Sequence, residues 1–321
     1  MLAVQVSEFG GPEVLVPTES PAPVAGEGQA VIAVVAADVL FLDTQIRGGR
    51  WRAQFPVAPP YVPGGAVAGA VLAVGAGVSA DWVGTVVVTR TAAGYAEQAL
   101  ATADTMTAVP DGLDVLTAAA LAHDGPTALT LFEGAAVRSG EWVLVTGAAG
   151  GLGSLLARLA HAAGARVIGA AGGGRKSDLI RELGADLAVD YTQPGWPDKV
   201  KVATGGAGVD VVFDGVGGTI GAAAFAVTAA GARFSAHGAP AGGFAAIDPA
   251  IAERGDVRVR GIEQVQFTPA ESHSLTERAL AEAAAGRLIP VVGQTFPLVK
   301  AADAHAAIEA RQVVGKTLLL A

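Results

Sequence analysis

The stretch WVLVTGAAGGLGS, residues 142–154, decides the fold of this chain. A strand-like run, 142–146, leads into a glycine-rich turn and then into an Ala/Leu-rich segment at helical spacing. A glycine lets the chain turn, a second leaves room for a pyrophosphate against backbone N–H groups, and a third permits close helix–strand packing. The context favours dinucleotide binding over an ordinary tight turn, which stays the alternative. The candidate phosphate-binding residues are Gly147, Gly150, Gly151, Leu152 and Gly153.

Strands and helices alternate on the C-terminal side of this stretch. Strands are predicted at 142–146, 166–170, 187–190, 209–213 and 233–236, and helices at 152–163, 177–183, 198–203 and 219–229. This alternation builds βαβ units and therefore a parallel sheet covered on both faces. We predict an α/β fold with a doubly wound parallel sheet.

The segments on either side follow a different pattern. Short Val/Ala/Ile runs broken by Gly and Pro fill residues 1 to about 115 and predict a β-rich domain. After an expected strand at 257–262, a helix at 271–285 and a strand at 316–320 no longer alternate in the parallel manner. We therefore assign 1–121 and 269–321 to one discontinuous β-rich domain, and 122–268 to the dinucleotide-binding domain.

Composition excludes several classes of protein. The chain has 321 residues, 21 basic against 30 acidic side chains, a net charge of −9 and no Cys. No disulfide framework, iron–sulfur cluster or cysteine-containing zinc site is possible, and the five scattered His predict no metal site. The acidic balance argues against a nucleic-acid partner. The uncharged stretches 56–80 and 215–232 are rich in Pro or Gly, so we expect no membrane span and a cytoplasmic location.

The end of the second strand of the parallel sheet indicates which dinucleotide binds. NAD-preferring proteins place a carboxylate here for the ribose hydroxyls, but this sequence has none before Asp178. Gly172 leaves space for a 2′-phosphate, and Arg175 or Lys176 can pair with it. The sequence predicts NADPH as the cofactor. The alternative is that the two basic side chains only solvate the start of a helix.

Matching pieces along nearly the whole chain resemble the medium-chain dehydrogenase/reductase superfamily, and within it the zinc-independent quinone oxidoreductases. These pieces are AADVLFLDTQIRGG from residue 36, GYAE from 94, GAAGGLG from 147, LGAD from 183, DGVGG from 214 and VVGKTLLL from 313. The resemblance implies a GroES-like β domain, a Rossmann domain and NADPH bound in the cleft between them. It also implies a homodimer joined through the edge strand near 257–262.

The resemblance also assigns residues by position. Gly172, Lys176 and Tyr191 match the family's pocket for the 2′-phosphate, and Thr127 matches a contact near the nicotinamide. The loops after the fourth and fifth strands add Asp214, Val216 and Gly238 to the expected cofactor site. The chain departs from the family motif at Asp38, Leu40 and Ala66.

Without zinc to polarise a carbonyl, the substrate must already be electrophilic. We expect an enzyme that transfers hydride from NADPH to a quinone or an α,β-unsaturated carbonyl. The alternatives are an enoyl-thioester reductase and a non-catalytic NADPH-binding protein.

The candidate catalytic residues are Asp43, Tyr61 and His123. Each also has a structural interpretation. Asp43 could hold a loop, Tyr61 could pack, and His123 could lie in a hinge where Asp124 caps the following helix.

Overall fold

The computed structural model describes residues 1–321, which form two compact units. Unit 1 is Met1–Pro126 with Phe267–Ala321, and unit 2 is Thr127–Gln266. The first boundary falls inside a helix, α3 (Asp124–Ala135). No helix has both the length and the apolar character needed to cross a membrane.

Unit 2 is built on a six-stranded sheet in which all neighbouring strands are parallel. The strands are β8 (Trp142–Thr146), β9 (Arg166–Ala171), β10 (Leu187–Asp190), β11 (Val209–Asp214), β12 (Thr228–Ala236) and β13 (Arg258–Arg260). They are ordered β10-β9-β8-β11-β12-β13, so the chain fills one half of the sheet outward from β8 and then the other half outward from β11. The helices wholly inside the unit are α4 (Gly151–Ala162), α5 (Gly174–Glu182), α6 (Trp196–Ala203), α7 (Gly218–Phe225) and α8 (Pro249–Arg254). The predicted doubly wound domain is confirmed.

Unit 1 holds a seven-stranded sheet and a separate two-stranded sheet, β1 (Leu2–Val6) with β2 (Leu15–Glu19). The strands of the larger sheet are β3 (Gln29–Val39), β4 (Ala66–Val74), β5 (Val86–Arg90), β6 (Gln98–Thr102), β7 (Thr107–Ala108), β14 (Val292–Pro297) and β15 (Lys316–Leu320). They are ordered β14-β15-β3-β4-β5-β7, and β6 also pairs with β3. The helices are α1 (Phe41–Arg47), α2 (Val115–Leu121), α9 (Pro269–Ala284) and α10 (Ala301–Glu309). Because β15 pairs with β3, the C-terminal tail completes the N-terminal sheet.

Two sequence expectations are wrong. The tail does contain a parallel pair, since β14 and β15 run parallel with α10 between them. The helix expected at 219–229 ends at Phe225, and β12 begins at Thr228 rather than at 233. The Ala-rich run 222–230 has helical propensity, but pairing of Thr228 with Val209 extends part of it.

The carboxyl ends of β8 and β11 are linked by side chains. The hydroxyl of Thr146 donates to Asp214 Oδ1 at 2.7 Å and accepts from the N–H of Gly215 at 3.1 Å. The N–H groups of Val216 and Gly217 also donate to Asp214 Oδ1, whereas Oδ2 is buried without a hydrogen-bond partner. One carboxylate and one hydroxyl therefore connect the carboxyl ends of the two central strands.

We predict that Thr146→Val destabilises the protein by about 1–3 kcal/mol, because a buried carboxylate loses a donor that water cannot replace. Thr146→Ser is the matched control, since it keeps the hydroxyl and should stay close to wild type. Urea unfolding measures both. Equal stability of the valine variant and wild type would contradict the role of this link.

His237 follows β12 at the same edge and is 9 % exposed. Burial lowers the pKa of its imidazole from 6.5 to about 4, and Ser235 Oγ lies 3.0 Å from Nδ1. Because the unfolded chain takes up this proton near pH 6.5, the stability due to His237 is complete above that pH and is lost as the pH falls towards 4.

Between pH 7 and pH 5, the wild-type protein should lose about 2 kcal/mol of its free energy of unfolding through His237. We therefore predict that His237→Gln removes this part of the pH dependence. Unfolding in urea at the two pH values measures it. The exposed His161, changed to Gln, is the control and should keep the wild-type pH dependence. Identical pH slopes for wild type and His237→Gln would refute the assignment.

Candidate functional site

The glycine turn lies where the strand order of unit 2 reverses, directly after β8. Gly147 has a φ of +68°, and its carbonyl accepts from the N–H of Gly150 at 2.9 Å. A side chain at Gly153 would collide with the Gly147 carbonyl, so only glycine allows this approach of α4 to the strand end. α4 begins at Gly151 without a side-chain cap, and Leu152 lies half-buried in its first turn.

This geometry suits a phosphate group. The uncapped N–H groups at the start of a twelve-residue helix carry partial positive charge and favour an anion. Reversal of strand order is also where open parallel sheets bind their ligands. The five turn residues predicted from the sequence are therefore brought together at one helix N-terminus.

A second group of predicted residues meets beside β9. A side chain at Gly172 would lie 3.4 Å from the ring of Tyr191, so these two residues are direct neighbours across β9 and β10. Gly173 has a φ of +91° and precedes α5, whose first turn carries the exposed Arg175 and the half-buried Lys176. The structure thus assembles a basic helix start, an aromatic ring and a residue without a side chain.

Asp190, which is not among the residues predicted from the sequence, also belongs to this group. Asp190 ends β10 and accepts hydrogen bonds from the Thr192 N–H and hydroxyl and from the Gly173 N–H. The Thr192 hydroxyl, then these backbone bonds, hold the pKa of Asp190 below its ordinary value. Its carboxylate therefore shapes the loop that carries Gly173.

The residues predicted on the loops after β11 and β12 make structural contacts within unit 2. Asp214 is 0 % exposed, and its Oδ1 accepts hydrogen bonds from Thr146 and from the loop backbone, so its carboxylate supports the turn. Val216 packs against Gly147, where an added Cβ would lie 3.3 Å from Cγ2, and Gly238 packs against the Gly215 backbone. Thr127 lies half-buried in α3 at the start of unit 2.

Asp43 and Tyr61 lie in unit 1, where Asp43 is hydrogen-bonded and Tyr61 packs on the apolar core. Asp43 is in the first turn of α1, and its Oδ2 accepts from the Leu40 N–H at 2.8 Å and lies 3.3 Å from the Tyr95 hydroxyl. Burial raises the pKa of Asp43 to about 6. Tyr61 packs on the apolar core, its hydroxyl is buried without a partner, and burial raises its pKa to about 12. These contacts support the loop-holding and packing interpretations.

His123 belongs to a charged cluster of unit 1 that the sequence did not predict. Its Nδ1 lies 2.8 Å from Asp38 Oδ2, while Lys316 Nζ lies 2.6 Å from Asp38 Oδ1 and 3.1 Å from Asp124 Oδ2. Asp124 therefore binds Lys316 in the first turn of α3 instead of capping that helix as expected. One feature of the sequence could have indicated this cluster, namely Asp38, which departs from the family motif.

Opposing effects set the pKa values in this cluster. Burial raises the pKa of Asp38, but Lys316 and His123 outweigh burial and lower it. Burial likewise raises the pKa of Asp124, and there it dominates. For Lys316 burial lowers the pKa, yet the two carboxylates raise it above its ordinary value. The cluster therefore holds an ammonium ion between two buried acids.

The donor set does not fit a zinc ion. The chain has no Cys, and no group of three or more His, Asp or Glu side chains is arranged to hold a metal. In the His123 cluster, the place between the two carboxylates is already taken by the Lys316 ammonium.

Comparison with known proteins agrees with this architecture. Residues 26–124 match the alcohol dehydrogenase GroES-like domain, and residues 183–319 match the zinc-binding dehydrogenase family. The chain is 34 % identical to quinone oxidoreductase of Sus scrofa, over 100 % of this chain and 98 % of that protein. It is 32 % identical to 2-haloacrylate reductase of a Burkholderia species, over 100 % and 99 % of the two chains.

Solved structures give the same result. Mycobacterial Rv1454c complexed with NADPH has a TM-score of 0.91 and 34 % identity, with 100 % of both chains covered. Escherichia coli quinone oxidoreductase complexed with NADPH has a TM-score of 0.90 and 26 % identity, again over 100 % of both chains. Full-length identity above 30 %, both family matches and the confirmed fold place this chain in the quinone oxidoreductase family of the medium-chain dehydrogenase/reductase superfamily.

Proposed function

We propose that this protein is an NADPH-dependent oxidoreductase that reduces a quinone or an α,β-unsaturated carbonyl compound. The observation that carries the proposal is the pairing of the glycine turn after β8 with the basic start of α5 beside Gly172 and Tyr191. Two full-length structural neighbours that bind NADPH support the choice of cofactor.

Two groups of residues in unit 2 would bind different parts of the cofactor. The turn from Gly147 to Gly153 and the α4 N-terminus would hold the pyrophosphate, and Gly172, Lys176 and Tyr191 would surround the 2′-phosphate. Lys176 adds a positive charge where NADPH, unlike NADH, carries a phosphate. When bound, NADPH supplies the hydride for the reduction.

The acceptor must be activated by its own electronic structure, because the donor set does not fit a zinc ion that would polarise a carbonyl. A quinone and a conjugated carbonyl both meet this requirement. The activity names of two relatives, quinone oxidoreductase and 2-haloacrylate reductase, support these two kinds of acceptor.

A homodimer and a cytoplasmic site of action are part of the proposal. β13 is three residues long, exposed, and paired only with β12, so its free edge can join a second copy. Light scattering of the purified chain would give a mass twice that of the monomer. A monomer at micromolar concentration would contradict the dimer.

We predict that the purified protein oxidises NADPH when 1,4-naphthoquinone or 2-chloroacrylate is the acceptor. It should oxidise NADPH faster than it oxidises NADH at the same concentration. The measurement is the loss of nicotinamide absorbance, with binding of NADPH followed separately by fluorescence titration. A crotonyl thioester in the same panel tests the enoyl-thioester alternative. Tight NADPH binding without oxidation by any acceptor would instead favour a non-catalytic binding protein.

We predict that Lys176→Ala weakens NADPH binding by about tenfold to a hundredfold, because one charge-assisted phosphate contact is lost. NADH binding should hardly change, since it has no 2′-phosphate. Arg181→Ala on the same helix is the matched control, because Arg181 is exposed and pairs with Asp178. Equal weakening of both dinucleotides by Lys176→Ala would refute the pocket assignment.

A further inference from the structure

Two helices of unit 1, α1 and α10, face each other through four polar side chains. Asp43 and Arg47 are one turn apart on α1, and His305 and Glu309 are one turn apart on α10. Arg47 Nη2 donates a hydrogen bond to Glu309 Oε1. The Tyr95 hydroxyl connects the other two side chains, since it lies 3.3 Å from Asp43 Oδ2 and 3.0 Å from His305 Nε2. Each turn of α1 is therefore connected to one turn of α10.

Several polar atoms of this contact are bound by no protein group. Arg47 is 2 % exposed, and its Nε and Nη1 have no hydrogen-bond partner. The buried hydroxyl of Tyr61 and the buried Nδ1 of His305 also lack a partner in the protein. A buried polar group without any partner costs free energy, most of all on an ion, and internal water usually pairs such groups in folded proteins. These atoms therefore indicate a small bound molecule.

Backbone pairing brings Tyr61 to this contact. The N–H of Val6 on β1 donates to the Tyr61 carbonyl at 2.8 Å, and the N–H of Tyr61 donates to the Val6 carbonyl at 3.2 Å. On the same strand, the N–H of Val4 donates to the Tyr95 carbonyl at 2.8 Å. The N–H of Tyr95 in turn donates to the Pro63 carbonyl at 2.9 Å. Tyr61 and Tyr95 are thus held on neighbouring segments beside β1.

The charge of Arg47 acts on both of the other groups that have unpaired atoms. Burial lowers the pKa of His305 to about 3, and the Arg47 guanidinium contributes to this shift. Burial and then Asp43 raise the pKa of Tyr61 to about 12, whereas Arg47 opposes this rise. The three groups therefore lie in one neighbourhood, and at neutral pH the imidazole and the phenol are both uncharged.

The hydrogen bonds leave both donors and acceptors to be paired. Above its pKa of about 6, Asp43 is a carboxylate and accepts the hydrogen of the Tyr95 hydroxyl. The neutral ring of His305 must then donate from Nε2 to the Tyr95 oxygen, which leaves Nδ1 as an acceptor. Nε and Nη1 of Arg47 are donors only, and the Tyr61 hydroxyl can both donate and accept. A molecule that binds here must therefore be both a donor and an acceptor.

The charges of the contact disfavour an ion as this molecule. Arg47 is already paired with Glu309, and Asp43 adds a further negative charge. A bound anion would increase the negative charge of a buried place, and a bound cation would be repelled by the guanidinium. A neutral molecule meets the requirement, and water is the smallest one that both donates and accepts.

We propose that unit 1 holds an internal water site between α1 and α10, where water accepts from the Arg47 guanidinium, donates to His305 Nδ1 and bonds to the Tyr61 hydroxyl. Internal waters typically make about three such bonds. The site joins the segment 36–49, which carries the family motif, to the C-terminal tail. It lies within unit 1 and does not depend on the proposed function.

Tyr61→Phe tests the site by urea unfolding. Because water binds the Tyr61 hydroxyl in the proposed site, the variant should lose a hydrogen bond and its urea midpoint should fall by about 0.2–0.5 M. Tyr95→Phe is the matched control, since its hydroxyl bonds directly to protein groups and its loss should also lower the midpoint. If the Tyr61 hydroxyl has no partner at all, its removal relieves a cost of burial. A midpoint of Tyr61→Phe at or above that of wild type would overturn the proposal.

Crystal structures of the wild-type protein at high resolution, with and without a sodium bromide soak, identify the bound molecule. We expect a water oxygen within hydrogen-bond distance of the Arg47 guanidinium and of His305 Nδ1, and no anomalous bromide signal at this place. Direct pairing of these atoms with other protein groups, or a bromide ion bound to Arg47, would refute the water site. Neither measurement uses NADPH or an acceptor, so the result is independent of whether the proposed reductase activity is found.

Discussion

The ammonium group of Lys316, held between the carboxylates of Asp38 and Asp124, is the interaction on which unit 1 depends. It joins β3, the first turn of α3 and β15, which lie far apart in the sequence. A buried ion pair contributes little net stability by comparison with apolar residues, but loss of one partner leaves an uncompensated charge and is costly. The cluster therefore enforces one arrangement of these three segments, and that arrangement sets the position of His123.

In unit 2, the packing of the strand ends leaves backbone N–H groups available to bind an anion. Gly153 lets α4 approach the end of β8, and the Thr146–Asp214 link holds the neighbouring strand ends at the same edge. Asp190 and Val216 then shape the loops on either side. These residues need not touch a ligand to matter, since they keep the turn in a conformation that leaves its helix N-terminus uncapped.

Local features of the fold were predictable, and features made by long-range pairing were not. The bounds of β8 and β15 agree with the sequence prediction because strong apolar runs end at glycine or at charged residues. The sequence predicts a helix for the Ala-rich run after α7, but pairing with β11 makes this run extended. The sequence does not predict the parallel pairing of β14 with β15, because β14 includes the polar Gln294 and Thr295 and has no buried residue.

The sequence by itself determined the phosphate-binding turn, the basic start of α5 and the absence of cysteine ligands, because each depends on residue type or on neighbours in the chain. Only the tertiary structure decided that Asp214 is buried support, that Tyr61 packs into the core, and that Asp124 binds Lys316. The same holds for the pairing of His123 with Asp38. Asp38 and His123 are 85 positions apart, and Asp124 and Lys316 are 192 apart, so no local pattern encodes either contact. The register of the sheet and the cost of burying an unpaired charge select them.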